Sequence, residues 1–210
     1  MQPFALLRDD PIQLTDFHTA AINDLIRYIH LLAVVIGFGT AFAVDATFLR
    51  RLKAPITRPF IAALHWHHQL VSYALLVMWM SGLALVYLRT GFDLENFSPK
   101  LIAKIIVVSI LTANAWMINI HAMPLLAQSV GNSPLSLPSY SLIHLSLVAG
   151  VSTASWLLGL ALGSSVILKT ADATVFMCLL PIGYLCSGLM AIVTLLLVQS
   201  VRNRHEARAQ

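Results

Sequence analysis

Five long apolar stretches run through this sequence of 210 residues and restrict its fold more than any other feature. They cover residues 25–48, 61–88, 101–126, 142–168 and 173–201. A helix needs about 20 apolar residues to cross a hydrocarbon core of about 30 Å, so each stretch can span a membrane with some tilt. Uninterrupted runs of this length are much longer than strands. The sequence therefore predicts an all-α, polytopic membrane bundle of about five transmembrane helices.

Composition and charge agree with a membrane protein that has almost no soluble domain. Only 10% of the residues are charged, whereas soluble domains carry about 25%. We expect an N-terminal extramembrane segment over residues 1–22, the bundle over 23–201 and a basic cytoplasmic tail over 202–210. Residues 1–22 do not read as a signal peptide, because they are acidic and lack a basic-then-apolar order. The acidic residues are Asp9, Asp10 and Asp16.

The basic residues stand beside the apolar stretches rather than on one surface, which argues against nucleic-acid binding despite a net charge of +4. They are Arg50, Arg51, Lys53 and Arg58 after the first stretch, and Arg202, Arg204 and Arg208 in the tail. Basic flanks face the cytoplasm. The chain is therefore predicted to lie in a bacterial inner membrane with its N-terminus outside and its C-terminus in the cytoplasm.

Ionisable residues inside membrane spans are costly and usually face a bundle interior or a functional site. In the first span, His30 shares a face with Gly37 and Ala41, whose small side chains let a helix or a flat cofactor approach. Asp45 lies near the predicted inner end of the same span. It is either a functional group or the ion-pair partner of Arg50, Arg51 or Lys53.

The second span opens with four residues, His65-Trp66-His67-His68, that suit either a site or a membrane boundary. His65 and His68 share a face, so they can serve one cofactor or metal, or one ring can orient the other. The alternative is an interfacial His/Trp cluster, since Trp is enriched at membrane boundaries. His67 points nearly opposite, and we assign it to such a cluster.

The third and fourth spans add further polar groups. Lys104 lies near the predicted outer end, where it either joins His30 or snorkels to the interface. Asn114 and His121 share a face nearer the inner end. Asn114 is a cofactor contact or forms an interhelical hydrogen bond. His144 opens the fourth span.

These residues form two predicted depth layers. His30 and Lys104 lie near the outer surface, and the inner layer holds His65, His68, His121, His144 and Asp45. Imidazoles at one depth on different helices are how a bundle holds a haem or a metal ion. The sequence has no C-x-x-C-H motif, so a haem here is expected to be non-covalent haem b. The candidate cofactor-binding residues are His30, Lys104, His65, His68, His121, His144 and Asn114; the candidate metal ligands are His30, His68, His121 and His144.

Several short segments are similar to one group of small bacterial membrane proteins. They are residues 27–39 around His30, Ser81-Gly82-Leu83-Ala84-Leu85, Pro99–Lys104, Leu111–Asn114, His121–Leu126 and Ser155-Trp156. Together they resemble the HemJ-type protoporphyrinogen IX oxidases, the membrane domain of copper resistance protein D and related proteins. The resemblance implies that His30 is a haem ligand and that Lys104 contributes to haem binding and activity. Gly37-Phe38 replaces that family's Trp-Phe, and the chain adds a fifth helix and further histidines. These differences argue against the family's oxidase activity more than against haem binding.

Three functions remain open. The first is haem b binding for electron transfer or for oxidation of a lipophilic substrate such as a quinol or porphyrinogen, the work of an oxidoreductase. The second is copper or other metal-ion handling, with Met80, Met117 and Met123 assisting Cu(I). The third is a non-catalytic accessory subunit of a membrane complex. The expected partners are the lipid bilayer and a quinone, a porphyrin or another membrane redox protein, and no catalytic residue is assigned.

Overall fold

The computed structural model describes the backbone of residues 11–209 and the side chains of residues 18–197 and 200. All the regular secondary structure of residues 11–209 is helical. The long helices are α1 (Pro11–Arg50), α2 (Arg58–Thr90), α3 (Pro99–Met117), α5 (Ser139–Ser164) and α6 (Ala173–Ala209). A π segment (Ile118–Ala122) joins α3 to the short α4 (Met123–Gln128). The terminal charges used to predict orientation lie outside the described side chains: Asp9, Asp10, Asp16, Arg202, Arg204 and Arg208.

Local chemistry explains where several of these helices begin and end. The Thr57 hydroxyl accepts the Phe60 N–H at 3.4 Å at the start of α2, and the Ser98 hydroxyl caps α3 in the same way. Such caps satisfy amides that have no partner inside the helix. At the end of α2, Gly91 adopts φ 62° and donates its N–H to the Tyr87 carbonyl at 2.8 Å. This is the left-handed helix end that glycine favours.

The π segment follows from Pro124. Proline has no N–H, and its ring crowds the carbonyl of the residue four positions earlier, here Ile120. The chain relieves this conflict by widening one turn, in which the Met123 N–H bonds to the Ile118 carbonyl five residues back. The helix then continues as α4, so the third span runs without a break from Pro99 to Gln128.

Within the described residues, five helical segments are long and apolar enough to cross a membrane: His18–Arg50, Arg58–Thr90, Pro99–Gln128, Ser139–Ser164 and Ala173–Leu197. The predicted all-α bundle of five spans is confirmed. Large apolar side chains are exposed along them, including Tyr73 and Leu185, each at 67%. Apolar surface on this scale requires a lipid solvent. The chain is a multi-pass integral membrane protein in contact with the bilayer.

The bundle consists of two packed parts. α1 packs mainly against α2, whereas α5 packs against both α3 and α6. At the centre, the indole of Trp156 on α5 packs with Ala33, Leu75, Met78 and Leu111 from α1, α2 and α3. Contacts between α1 and α5 are sparse away from this centre, and a cleft lies between the two parts.

Loop contacts define the two ends of the bundle. The α1–α2 and α4–α5 connections meet where the Ile56 N–H donates to the Asn132 carbonyl at 2.9 Å and the Gly131 N–H donates to the Ile56 carbonyl at 2.8 Å. We call this the first-loop end. At the opposite, second-loop end, the Lys100 ammonium donates to the Ser165 carbonyl at 2.6 Å, joining α3 to the α5–α6 connection.

Candidate cofactor and metal sites

A cleft of about 750 Å³ lies between the two parts of the bundle. Its walls are mostly apolar, and residues of α1 to α6 and of the π segment line it. The polar and sulfur-bearing groups along it are Asp45, His67, His68, Asn114, Met123, Ser146, Ser152, Thr153, Cys186, Ser187, Met190 and Thr194. An apolar cleft with a few polar groups is typical of small-molecule sites.

The histidines at the start of α2 separate from one another. His68 lines the cleft and is half-buried, and its ring has no hydrogen-bond partner among the described residues. His65, one turn earlier, is exposed. His67 also reaches the cleft, but its Nδ1 lies 2.6 Å from the Ala63 carbonyl of its own helix. Of the predicted pair, His68 is therefore the member that can serve the cleft.

Asp45 faces the cleft instead of the basic loop. Its Oδ2 lies 3.5 Å from the Thr153 hydroxyl of α5. Of the two alternatives for Asp45, the contact with Thr153 at the cleft favours the functional group over an ion pair with the basic loop. The Arg51 guanidinium instead packs over the Phe60 ring, 5.2 Å from its centroid.

Asn114 forms the interhelical hydrogen bond that its burial requires. Its Nδ2 donates to the Val148 carbonyl of α5 at 3.0 Å, and only 7% of the residue is exposed. Asn114 also lines the cleft. The amide therefore joins α3 to α5 at the cleft wall, as its structural interpretation predicted.

His30 is held by α2. Its Nδ1 lies 2.9 Å from the Ser81 hydroxyl, whose oxygen also lies 2.6 Å from the Val77 carbonyl. When the hydroxyl donates to that carbonyl, it accepts from Nδ1–H, and Nε2 of the neutral ring keeps its lone pair. Lys104, the other outer-layer candidate, lies on α3 and is half-buried.

His121 of the π segment and His144 of α5 face each other near the first-loop end. Their ring centroids are 5.9 Å apart, and the ring planes are nearly perpendicular at 88°. His121 is exposed and His144 half-buried. The predicted inner layer thus brings two of its histidines together across two helices.

The candidate ligands occupy three separate places: His30 beside Ser81, His68 in the cleft, and the His121–His144 pair. No group of three or more His, Cys, Asp or Glu side chains able to hold a metal ion occurs among the described residues. Sequence reasoning missed Ser81, Thr153 and the sulfur atoms of Cys186 and Met190. Hydroxyl groups within the spans were the available signal for Ser81 and Thr153, since each must find a partner inside the membrane.

No family model matches the sequence, and no curated protein or solved structure is significantly similar to it. The relationship to the HemJ-type oxidases therefore stays a prediction from the short segments that carry it.

Proposed function

We propose that this integral membrane protein binds a non-covalent haem b in the cleft, with His68 as an iron ligand, in a bacterial inner membrane. The bound haem would supply one-electron chemistry, either for electron transfer or for oxidising a lipophilic substrate such as a quinol or porphyrinogen. The observation that carries the proposal is the position of His68, whose ring has no hydrogen-bond partner among the described residues, on the wall of an apolar cleft.

The donor groups of the cleft suit haem iron. Iron in b-type sites accepts histidine, methionine thioether or cysteine thiolate ligands. His68 supplies an imidazole from α2, while Met190 and Cys186 line the cleft from α6 and Met123 lines it from α4. A histidine and sulfur donors on different helices are therefore available around one cavity.

Size and access also fit a large lipophilic ligand. The cleft volume of about 750 Å³ lies within the range of about 300–1,000 Å³ found for ligand pockets. Leu49, Leu157 and Met190 line the cleft and are 52%, 53% and 66% exposed. The cleft is thus open at the lipid-facing surface, through which a membrane-dissolved molecule can enter.

The cleft also holds an acidic group that can take part in proton transfer. The Asp45 carboxylate lines the cleft beside the Thr153 hydroxyl, where it can hold a proton released by a substrate.

A reduced-minus-oxidised visible spectrum of the detergent-purified protein tests this proposal, with iron quantified on the same sample. We expect a haem b band with stoichiometric iron in the wild type, and its loss in His68→Ala. His65→Ala is the matched control, because His65 lies one turn away on the same helix and is exposed. We expect that variant to keep the band.

Other outcomes would redirect or overturn the proposal. If His30→Ala loses the band and His68→Ala keeps it, haem binds beside Ser81 and the cleft assignment is wrong. A flat, iron-free spectrum of the wild type overturns haem binding altogether. The two remaining functions would then be copper or other metal handling and a non-catalytic accessory role.

A further inference from the structure

We propose that His121 and His144 form a binding site for a single late first-row transition-metal ion, with Cu(II) as the preferred ion. The two rings face each other from the π segment and α5 with centroids 5.9 Å apart. This site is separate from the cleft, and its existence does not depend on haem binding there.

The separation of the rings matches a shared ion. Imidazole nitrogens bind such ions at about 2.0–2.1 Å, which puts each ring centroid roughly 3.2 Å from the metal. Two centroids are then roughly 4.5 Å apart for neighbouring ligands and at most roughly 6.4 Å apart for opposite ligands. The observed 5.9 Å lies within this limit. The perpendicular ring planes cause no obstruction, because two imidazoles on one ion can rotate freely about their metal–nitrogen bonds.

The ring nitrogens of both histidines are unpaired within the described part of the chain; their only recorded contact is the one between the rings. Polar groups without partners are costly at membrane depth. A nearby hydroxyl is also unpaired there: Ser141, one turn before His144 on α5, is 1% exposed and its Oγ has no partner. A bound ion satisfies one nitrogen of each ring at once.

The surrounding helices hold the pair in place. The π segment produced by Pro124 carries His121, and single-turn π bulges occur frequently at functional sites. About two turns away, the Asn114–Val148 hydrogen bond fixes the approach of α3 to α5. The two ligands are thus presented by helices whose spacing is set independently of any ion.

The donor set selects the ion. Imidazole suits copper, zinc and nickel, and affinity among divalent ions is highest for Cu(II). Among the described residues only these two imidazoles meet here, so those residues alone do not form a closed four-ligand zinc centre. The exposed His121 gives access to the pair.

Copper titration of the chelator-treated, full-length protein in detergent tests the site, followed by electron paramagnetic resonance. We expect one tightly bound Cu(II) whose spectrum shows coupling to two nitrogens. Loss of a hydrogen-bond partner behind a ligand already costs about 10–100-fold in metal affinity. His121→Ala and His144→Ala should each cost at least that much, whereas His65→Ala should bind copper like the wild type.

The conservative variants His121→Gln and His144→Gln guard against a folding defect, because they keep side-chain size and polarity. Copper should raise the unfolding temperature of the wild type, since a ligand that binds the native state stabilises it, and should leave both Gln variants unchanged. Wild-type copper affinity in either Gln variant overturns the proposal. Iron and haem content measured on the same samples show separately whether the cleft proposal holds.

Discussion

At the residue scale, the polar side chains inside the spans are of two kinds. Some form a hydrogen bond to another helix, and others do not. Asn114 donates to a carbonyl of α5, and His30 is hydrogen-bonded to Ser81 of α2. His68, His121 and His144 have no such partner among the described residues. These three rings are free to turn toward an ion or a cofactor, whereas His30 has one ring nitrogen held and the other available.

Replacing Asn114 tests its structural role. Asn114→Ala removes the donor to the Val148 carbonyl. It should lower the free energy of unfolding by about 0.6 kcal/mol and by no more than about 1.7 kcal/mol, the average and the maximum measured for hydrogen bonds inside a membrane protein. Asn119→Ala is the matched control, since Asn119 lies in the same span and is exposed. Denaturant unfolding in mixed micelles measures both. Equal losses in the two variants would show that the interhelical bond contributes nothing.

The sequence left alternatives open for the polar side chains that only their contacts decide. It allowed Asn114 either an interhelical bond or a cofactor contact, and the structure has the bond. It could not predict that Asp45 meets Thr153 of α5, since helix rotation decides that contact.

At the scale of the helices, close packing at Gly37 sets how α1 meets α5. A Cβ at Gly37 would overlap Cη2 of Trp156 and lie 3.0 Å from its Cζ2 and 3.3 Å from the Ala74 Cβ. The sequence predicted a close approach at this glycine. The approaching group is the Trp156 indole, not the flat cofactor that the sequence also allowed.

Gly37→Ala should therefore destabilise the bundle by about 1–3 kcal/mol, the usual cost of overpacking a rigid core. The indole cannot easily move away, because Trp156 is 4% exposed and packed by α1, α2 and α3. Gly39→Ala on the same helix is the matched control, as a Cβ there meets nothing within 4 Å. Thermal unfolding monitored by Trp fluorescence compares them, and similar melting temperatures would contradict the packing argument.

For the whole molecule, the sequence predicted the number of spans but not their arrangement. Span length and composition are readable because the bilayer has a fixed thickness. Arrangement is not readable, because lipid-facing and bundle-facing sides are both apolar and the usual polar face of a helix is missing. Only the structure shows that α1 pairs with α2, that α3, α5 and α6 pack separately, and that a cleft lies between these two parts.

Orientation in the membrane is the remaining whole-molecule prediction. The basic α1–α2 connection, with Arg50, Arg51, Lys53 and Arg58, should face the cytoplasm. A green fluorescent protein fused after residue 210 should then fluoresce, and alkaline phosphatase fused after residue 96, in the α2–α3 connection, should be active. The first-loop end, with the His121–His144 pair, would face the cytoplasmic leaflet. A dark C-terminal fusion with an inactive phosphatase would reverse the orientation and put that pair on the outer side, where it would meet metal ions from outside the cell.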